Sequence, residues 1–286
     1  MFDQKKVKEL VLTSLVTDAY CLGTHWVYDE KQLKDSSINY NELNKPLSIW
    51  HKDKVAGEFT HYGDQTFWLY EFLKDKEEFN AEDFLSYWTQ KMKSYNGYID
   101  GASRNTLENI ENGVTPSGSS STDLSIVGRI APLLKVSKSK EEFLRNVESF
   151  VKLTHNSTKA INASSFFSKL LLKALDGIAL EEAILSLKDE SDAVIQKHIE
   201  NAFASKQKET ISIIREFGPA CDIDQGFASS LHLLLKYDNL KEMLIVNAKA
   251  GGDSSARAMI ASIIFMANNS ILQIPKNWLA IKVTLD

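Results

Sequence analysis

The chain has 286 residues, room for one large domain or two small ones, and its 43% hydrophobic and 25% charged content is that of an ordinary globular protein. A net charge of −5 without a long basic run argues against nucleic acid as a main partner, because backbone phosphate binding needs clustered Lys and Arg. Two cysteines, Cys21 and Cys221, are too few for a disulfide-stapled secreted domain; the Lys-bearing start has no leader pattern, and no apolar run reaches the roughly 18–20 residues that span a bilayer, so a cytoplasmic protein off the membrane is expected.

Helical period dominates from the start. Val7, Leu10, Val11, Ser14, Leu15 and Asp18 follow the i, i+3, i+4, i+7 rule, so a first helix carries Asp18 on or beside its buried face. Residues 31 to about 60 then lose periodicity and are rich in Asn, Asp, Lys and Ser. A loop of that length reads equally as a lid or as a loosely ordered insertion. Helices are expected at 65–75 and at 80–94, the latter capped by Asn80. Further ones are expected at 101–112, 122–136, 139–153, 158–175, 179–188, 191–206 and 208–217, with Gly113 and Gly218–Pro219 as stops. The last group is 225–236, 239–249, 254–270 and 275–282, with Pro275 suited to a first turn. With almost no period-2 alternation and no βαβ rhythm, the fold class is all-α, one multi-helix domain over 1–286 with a long loop at about 31–60.

Two polar segments far apart in the chain stand out. THYGDQT (60–66) and GGDSSAR (251–257) each set an aspartate, Asp64 or Asp253, behind glycine and ahead of an apolar helical run. An acid there is first of all an N-cap. The surrounding density of donors and acceptors also suits a pocket for a metal, a phosphate or a sugar, with Thr66, Ser254 and Ser255 as neutral oxygens for a hard cation. A third segment, SGSSSTD (117–123), reads as a flexible linker or as free N–H groups cradling a phosphate at a helix start. His155 in THNST (154–158) reads as a cap, a donor or a general acid. In DAYCLGTHWVYD (18–29), Trp26 and Tyr28 can stack on a base or sugar or be plain core aromatics. His51, His198 and His232 carry no signal, and no Ser-His-Asp order, CxxC pair or HExxH is present.

Taken in order, these segments resemble the ADP-ribosylglycohydrolase family. Asp18 with Leu22–Gly23 resembles its GDALG-like opening, 63–66 falls at its TDDT, and RIAPL (129–133) at a segment of the same form. Thr154–His155 falls at its TH motif, 251–256 at its GGDTDT, and IPKNW (274–278) at its closing IP-x-x-W. The resemblance implies an all-α domain with two Mg²⁺ or Mn²⁺ ions in a cleft. There it would cleave the bond between an ADP-ribose anomeric carbon and a nitrogen or oxygen. It implies Asp64, Asp253 and His155 as catalytic residues, with Asp64 and Asp253 as metal ligands. Substrate contacts would come from Asp18, His25, His61 and Gln65, from Ser119, Ser120, Ser121 and Asp123, and from Ser254, Ser255 and Arg257. The partner implied is a small-molecule or ADP-ribosylated substrate. At the ligand positions the chain reads Gly63, Asp64, Gln65 and Asp253, Ser255, Ala256, so only two acids of six ligands remain. The forms HWVYD, THYGDQ and GGDSSAR resemble a crystallin-like branch, which implies the alternative of a non-catalytic ligand-binding or structural member. On that reading His25, His61 and Arg257 replace metal charge in holding an anion.

Overall fold

The structure, a computed structural model, describes residues 1–35 and 37–285. It is all-α, and every segment expected to be helical contains helix. The helices are α1 (Gln4–Cys21), α2 (Glu30–Asp35), α3 (His61–Leu73), α4 (Ala81–Lys93), α5 (Gly101–Glu111), α6 (Lys140–Thr154) and α7 (Thr158–Leu175). They continue with α8 (Leu180–Lys188), α9 (Ala193–Ser205), α10 (Thr210–Phe217), α11 (Ile223–Lys236), α12 (Leu240–Ala250) and α13 (Ser254–Ala267). Extended pairing among the described residues is limited to three isolated bridges.

The centre of the molecule is α13. Every residue from Ser254 to Ala267 is buried, as expected of a helix that is apolar on all sides. It packs most extensively along α1, with α7, α11 and α12 around it, in one continuous core that includes Leu10, Leu15, Phe167 and Phe227. Asp253 caps α13 by accepting from the Ala256 N–H at 3.2 Å, the role its position predicts.

Three expectations are corrected in detail. The helix expected at 65–75 begins at His61, because Thr60 accepts the Tyr62 N–H and serves as cap; Asp64 therefore lies inside the first turn. Residues 122–136 are two 3₁₀ helices, Leu124–Arg129 and Ala131–Val136, rather than one α-helix. Pro132 cannot donate to a continuous ladder, and Gly128 brings the backbone against α13, where a Cβ would sit 2.6 Å from the Met259 Cβ. At the end of the chain, α13 stops at Ala267, and 275–282 shrinks to a 3₁₀ turn at Lys276–Leu279 capped by Pro275.

The aperiodic stretch before α3 is tied down at several points. Leu47 N–H donates to Gly23, and the Tyr20 hydroxyl donates to the Tyr40 carbonyl. Asn277 and Trp278 both donate to the Asn41 carbonyl, and Trp278 stacks on Tyr20 at 3.8 Å. It carries α2 and a 3₁₀ turn, Ile49–His51, that faces the start of α3.

Candidate functional site

The two polar segments do meet, and Asp18 is where they meet. Fully buried on α1, it accepts from the Thr60 N–H at 2.8 Å and the Thr60 hydroxyl at 2.7 Å, and from the Ser255 hydroxyl of α13. Burial raises its pKa, and these three hydrogen bonds oppose the rise. Gly63 is required beside it, because a Cβ there would overlap the Asp18 carboxylate and lie 2.8 Å from the Phe59 Cβ. A second set of bonds closes the loop after α1 onto the α12–α13 turn. Trp26 N–H donates to Gly252, Gly252 N–H donates to Val27, and Asp253 N–H donates to Pro219. Trp26 itself takes a left-handed φ of 57°, a strained state for a bulky residue of the kind found at functional sites.

Asp253 stands at this junction, 1% exposed. The Tyr62 hydroxyl reaches its Oδ2 at 3.2 Å and the Asp123 Oδ2 at 3.4 Å, lying between the two acids. His25 Nδ1 is 3.3 Å from Asp253 Oδ1, though out of line for a hydrogen bond. Burial, then the neighbouring Asp123, pushes the Asp253 carboxyl up to about 7, with Arg257 opposing. Asp123, Cys221 and Asp253 each place one donor atom within 4.8 Å of the others, and burial holds the Cys221 thiol in its protonated form.

Asp64 is engaged elsewhere. Its Oδ2 accepts from the Lys54 ammonium at 2.7 Å and from the Tyr95 hydroxyl at 2.6 Å. Next to it, Gln65 turns inward, and its Oε1 accepts from Trp88 at 3.0 Å and Arg129 at 2.8 Å. Arg129 is buried, lies over the Tyr62 ring at 5.0 Å, and sits 3.8 Å from Asp100. Burial of Asp100 favours its neutral form, but His61, Arg129 and the Ser103 N–H together hold it ionised, below the usual carboxylate range. His155 ends α6 nearby. Its Nδ1 lies 2.8 Å from the Thr154 hydroxyl, its Nε2 is free of partners, and burial with the Arg129 charge brings it down to about 4.

Most of the remaining candidates are bonded to neighbouring parts of the chain. Arg257 donates to Asn247, to Pro219 and to Gly251, so its guanidinium clamps three chain segments rather than facing a cleft. Ser254 Oγ lies 3.3 Å from the Thr24 hydroxyl. Ser119 and Ser121 do not leave a row of free N–H groups: Ser119 N–H goes to Thr154, Ser121 N–H to Ser119 Oγ, and Asp123 N–H to Ser121 Oγ. Ser119 pairs with His155 in a parallel bridge, which makes the segment fixed rather than a linker, and Ser120 is exposed.

Sequence reasoning missed His51, Asp100, Lys54 and Tyr95, and took Tyr62 only as one polar group of the THYGDQT segment. Only Asp100 had a local signal, as an acid directly before a glycine-led helix that it caps. His51 packs face to face with His61 at 5.4 Å between ring centroids, and His25 completes a buried trio.

A hard divalent ion asks for a shell of about six oxygens. Here Asp64 already carries an ammonium and a phenol, Gln65 Oε1 is spent on two donors, and the Ser255 hydroxyl is spent on Asp18. Gly63 and Ala256 bring no side-chain oxygen. The residues at these positions do not fit a pair of hard cations.

Residues 2–282 match the family model described as ADP-ribosylglycohydrolase, so the chain belongs to that family. It is similar to two proteins of Tripedalia cystophora. Crystallin J1A is 22% identical over 97% of this chain and 92% of its own length, and crystallin J1B is 21% identical over 96% and 91%. Among solved structures it shares its fold with an "ADP-ribosylglycohydrolase-related protein complex", with a TM-score of 0.72 at 17% identity, covering 96% of this chain and 92% of the other. No helix among the described residues is long and apolar enough to cross a membrane.

Proposed function

We propose that this member of the ADP-ribosylglycohydrolase family hydrolyses an N- or O-glycosidic bond in an ADP-ribosylated or related nucleoside substrate, using the carboxyl pair Asp253 and Asp123 in place of two hard cations. The observation that carries the reading is the Asp253 carboxyl, raised to about 7 and joined to Asp123 through the Tyr62 hydroxyl. A group with that pKa can give and take a proton at neutral pH. Glycoside cleavage needs one carboxyl as acid and a second as base or as partner to the oxocarbenium carbon, and environments that drive two acids apart make that division. Asp253 protonates the departing nitrogen or oxygen. Asp123 faces the positive charge that develops on the anomeric carbon, and a water then adds there and returns its proton to Asp253. On this reading His155 Nε2, buried and unpartnered, contacts the substrate as a neutral imidazole.

A second reading, a non-catalytic ligand-binding or structural protein, draws on the Lys54–Asp64–Tyr95 closure, which neutralises one acid internally, and on the crystallin names of the two relatives. One experiment separates the two. Release of ADP-ribose from modified arginine and serine peptides is followed by chromatography with and without Mg²⁺ and Mn²⁺, alongside a thermal shift with ADP-ribose. Release that persists without those ions and disappears in Asp253→Asn supports the hydrolase. Stabilisation by ADP-ribose without release supports the second reading, and neither response removes both for this substrate class.

A further inference from the structure

We propose that His25, His51 and His61 form a three-imidazole site for one transition-metal ion of the zinc class, built on nitrogen donors and independent of the depleted oxygen motifs. The three side chains come from three segments: the loop after α1, the Ile49–His51 turn, and the first residue of α3. They are 0%, 4% and 0% exposed, and one nitrogen of each lies within 4.8 Å of the other two. His51 Nε2 and His61 Nδ1 are 3.2 Å apart. Two nitrogens bound at roughly 2.0–2.1 Å to a tetrahedral ion stand about 3.3 Å from each other, so this pair already spans one edge of such a site.

A second observation points the same way. Both ring nitrogens of His25, Nδ1 of His51 and Nε2 of His61 have no hydrogen-bond partner although they are buried. Buried polar atoms without partners are costly and rare in native interiors. A hydrogen bond between His51 and His61 accounts for one nitrogen on each ring, and Asp100 faces His61 Nε2, which leaves both nitrogens of His25 and Nδ1 of His51 unexplained.

Carboxylates stand on the outer side of two rings. Asp253 Oδ1 is 3.3 Å from His25 Nδ1, and Asp100 Oδ2 is 3.4 Å from His61 Nε2. An acid behind the far nitrogen of a metal-binding imidazole sets its tautomer and raises its basicity. Asp100 behind Nε2 of His61 leaves its Nδ1, together with the facing Nε2 of His51, as ligand atoms. Trp26 stacks on His25 at 4.7 Å between ring centroids and Tyr98 packs edge to face on His61 at 5.3 Å, so aromatic rings cover two of the three imidazoles. Imidazole sets favour Zn²⁺, Co²⁺, Ni²⁺ or Cu²⁺ over Mg²⁺, which prefers oxygen. A bound ion ties the Ile49–His51 turn to α3 and so fixes the segment that brings Lys54 to Asp64.

The full chain, stripped of metal, is titrated with Co²⁺ and Zn²⁺. Binding is read by equilibrium dialysis with elemental analysis and by the visible spectrum of the Co²⁺ form. The expected result is one ion per chain, an intense four-coordinate Co²⁺ spectrum, and no competition from excess Mg²⁺. Asp100→Asn lowers affinity about 10–100-fold, as removal of an outer partner does. His51→Ala abolishes the site, and Cys221→Ser leaves it intact, which excludes the Asp123–Cys221–Asp253 group as the binding place. If His51→Ala does not fold, X-ray absorption on the wild-type Zn²⁺ form decides, with three imidazoles in the first shell expected. Substoichiometric binding by the wild type, loss in Cys221→Ser, or a first shell of oxygen or sulfur overturns the proposal.

Discussion

Replacing Asp253 with asparagine keeps a side chain able to cap α13 but removes the carboxyl that burial holds protonated. An aspartate moved from 3.8 to about 7 corresponds to about 4 kcal/mol of pH-dependent stability. Because the folded pKa is raised, the folded state keeps a proton that the unfolded chain gives up. The stabilisation is complete below pH 3.8 and is lost as the pH rises through about 7. The wild type therefore weakens between pH 4 and 8 by that amount, while Asp253→Asn does not carry the loss. Urea unfolding of both proteins at several pH values measures it. The gap between them should move in favour of the variant by about 4 kcal/mol from pH 4 to 8, on the order of 10 °C in Tm for a chain of this size. A gap that stays constant across that range refutes the raised carboxyl, and with it the acid role proposed for Asp253.

Gly63→Ala should destabilise by about 1–3 kcal/mol although alanine is the better helix former, since its Cβ would overlap Asp18 and press on Phe59; a higher Tm would contradict this packing. Arg257→Met should cost about 3–5 kcal/mol in urea unfolding. It leaves the carbonyls of Pro219 and Gly251 and the Asn247 side chain without their buried donor, and an unchanged midpoint would show that the clamp carries nothing.

The helices were legible because they are local. The apolar spacing that puts Leu10 and Leu15 inside α1 and the caps Asn80 and Asp253 act within a few residues, and the structure places them as their neighbours demand. The errors fall where distant packing overrides local pattern. The 3₁₀ geometry at 124–136 follows from Pro132 and from the approach of Gly128 to Met259, a partner more than a hundred residues away.

For the site, the chain by itself determined the family's order of motifs and the loss of most oxygen ligands, since both are matters of residue type at given positions. It also showed that Asp18, Asp64 and Asp253 lie at motif positions. Which group neutralises which acid was decided only by tertiary structure. Lys54 reaches Asp64 across a turn, Tyr62 reaches Asp253 across 191 positions, and Asp18 collects donors from the cap of α3 and from α13. His51, uninformative in its aperiodic stretch, became one of three buried imidazoles for the same reason. Burial and Coulomb interaction depend on distance in space, and at these separations spacing along the chain carries no record of it.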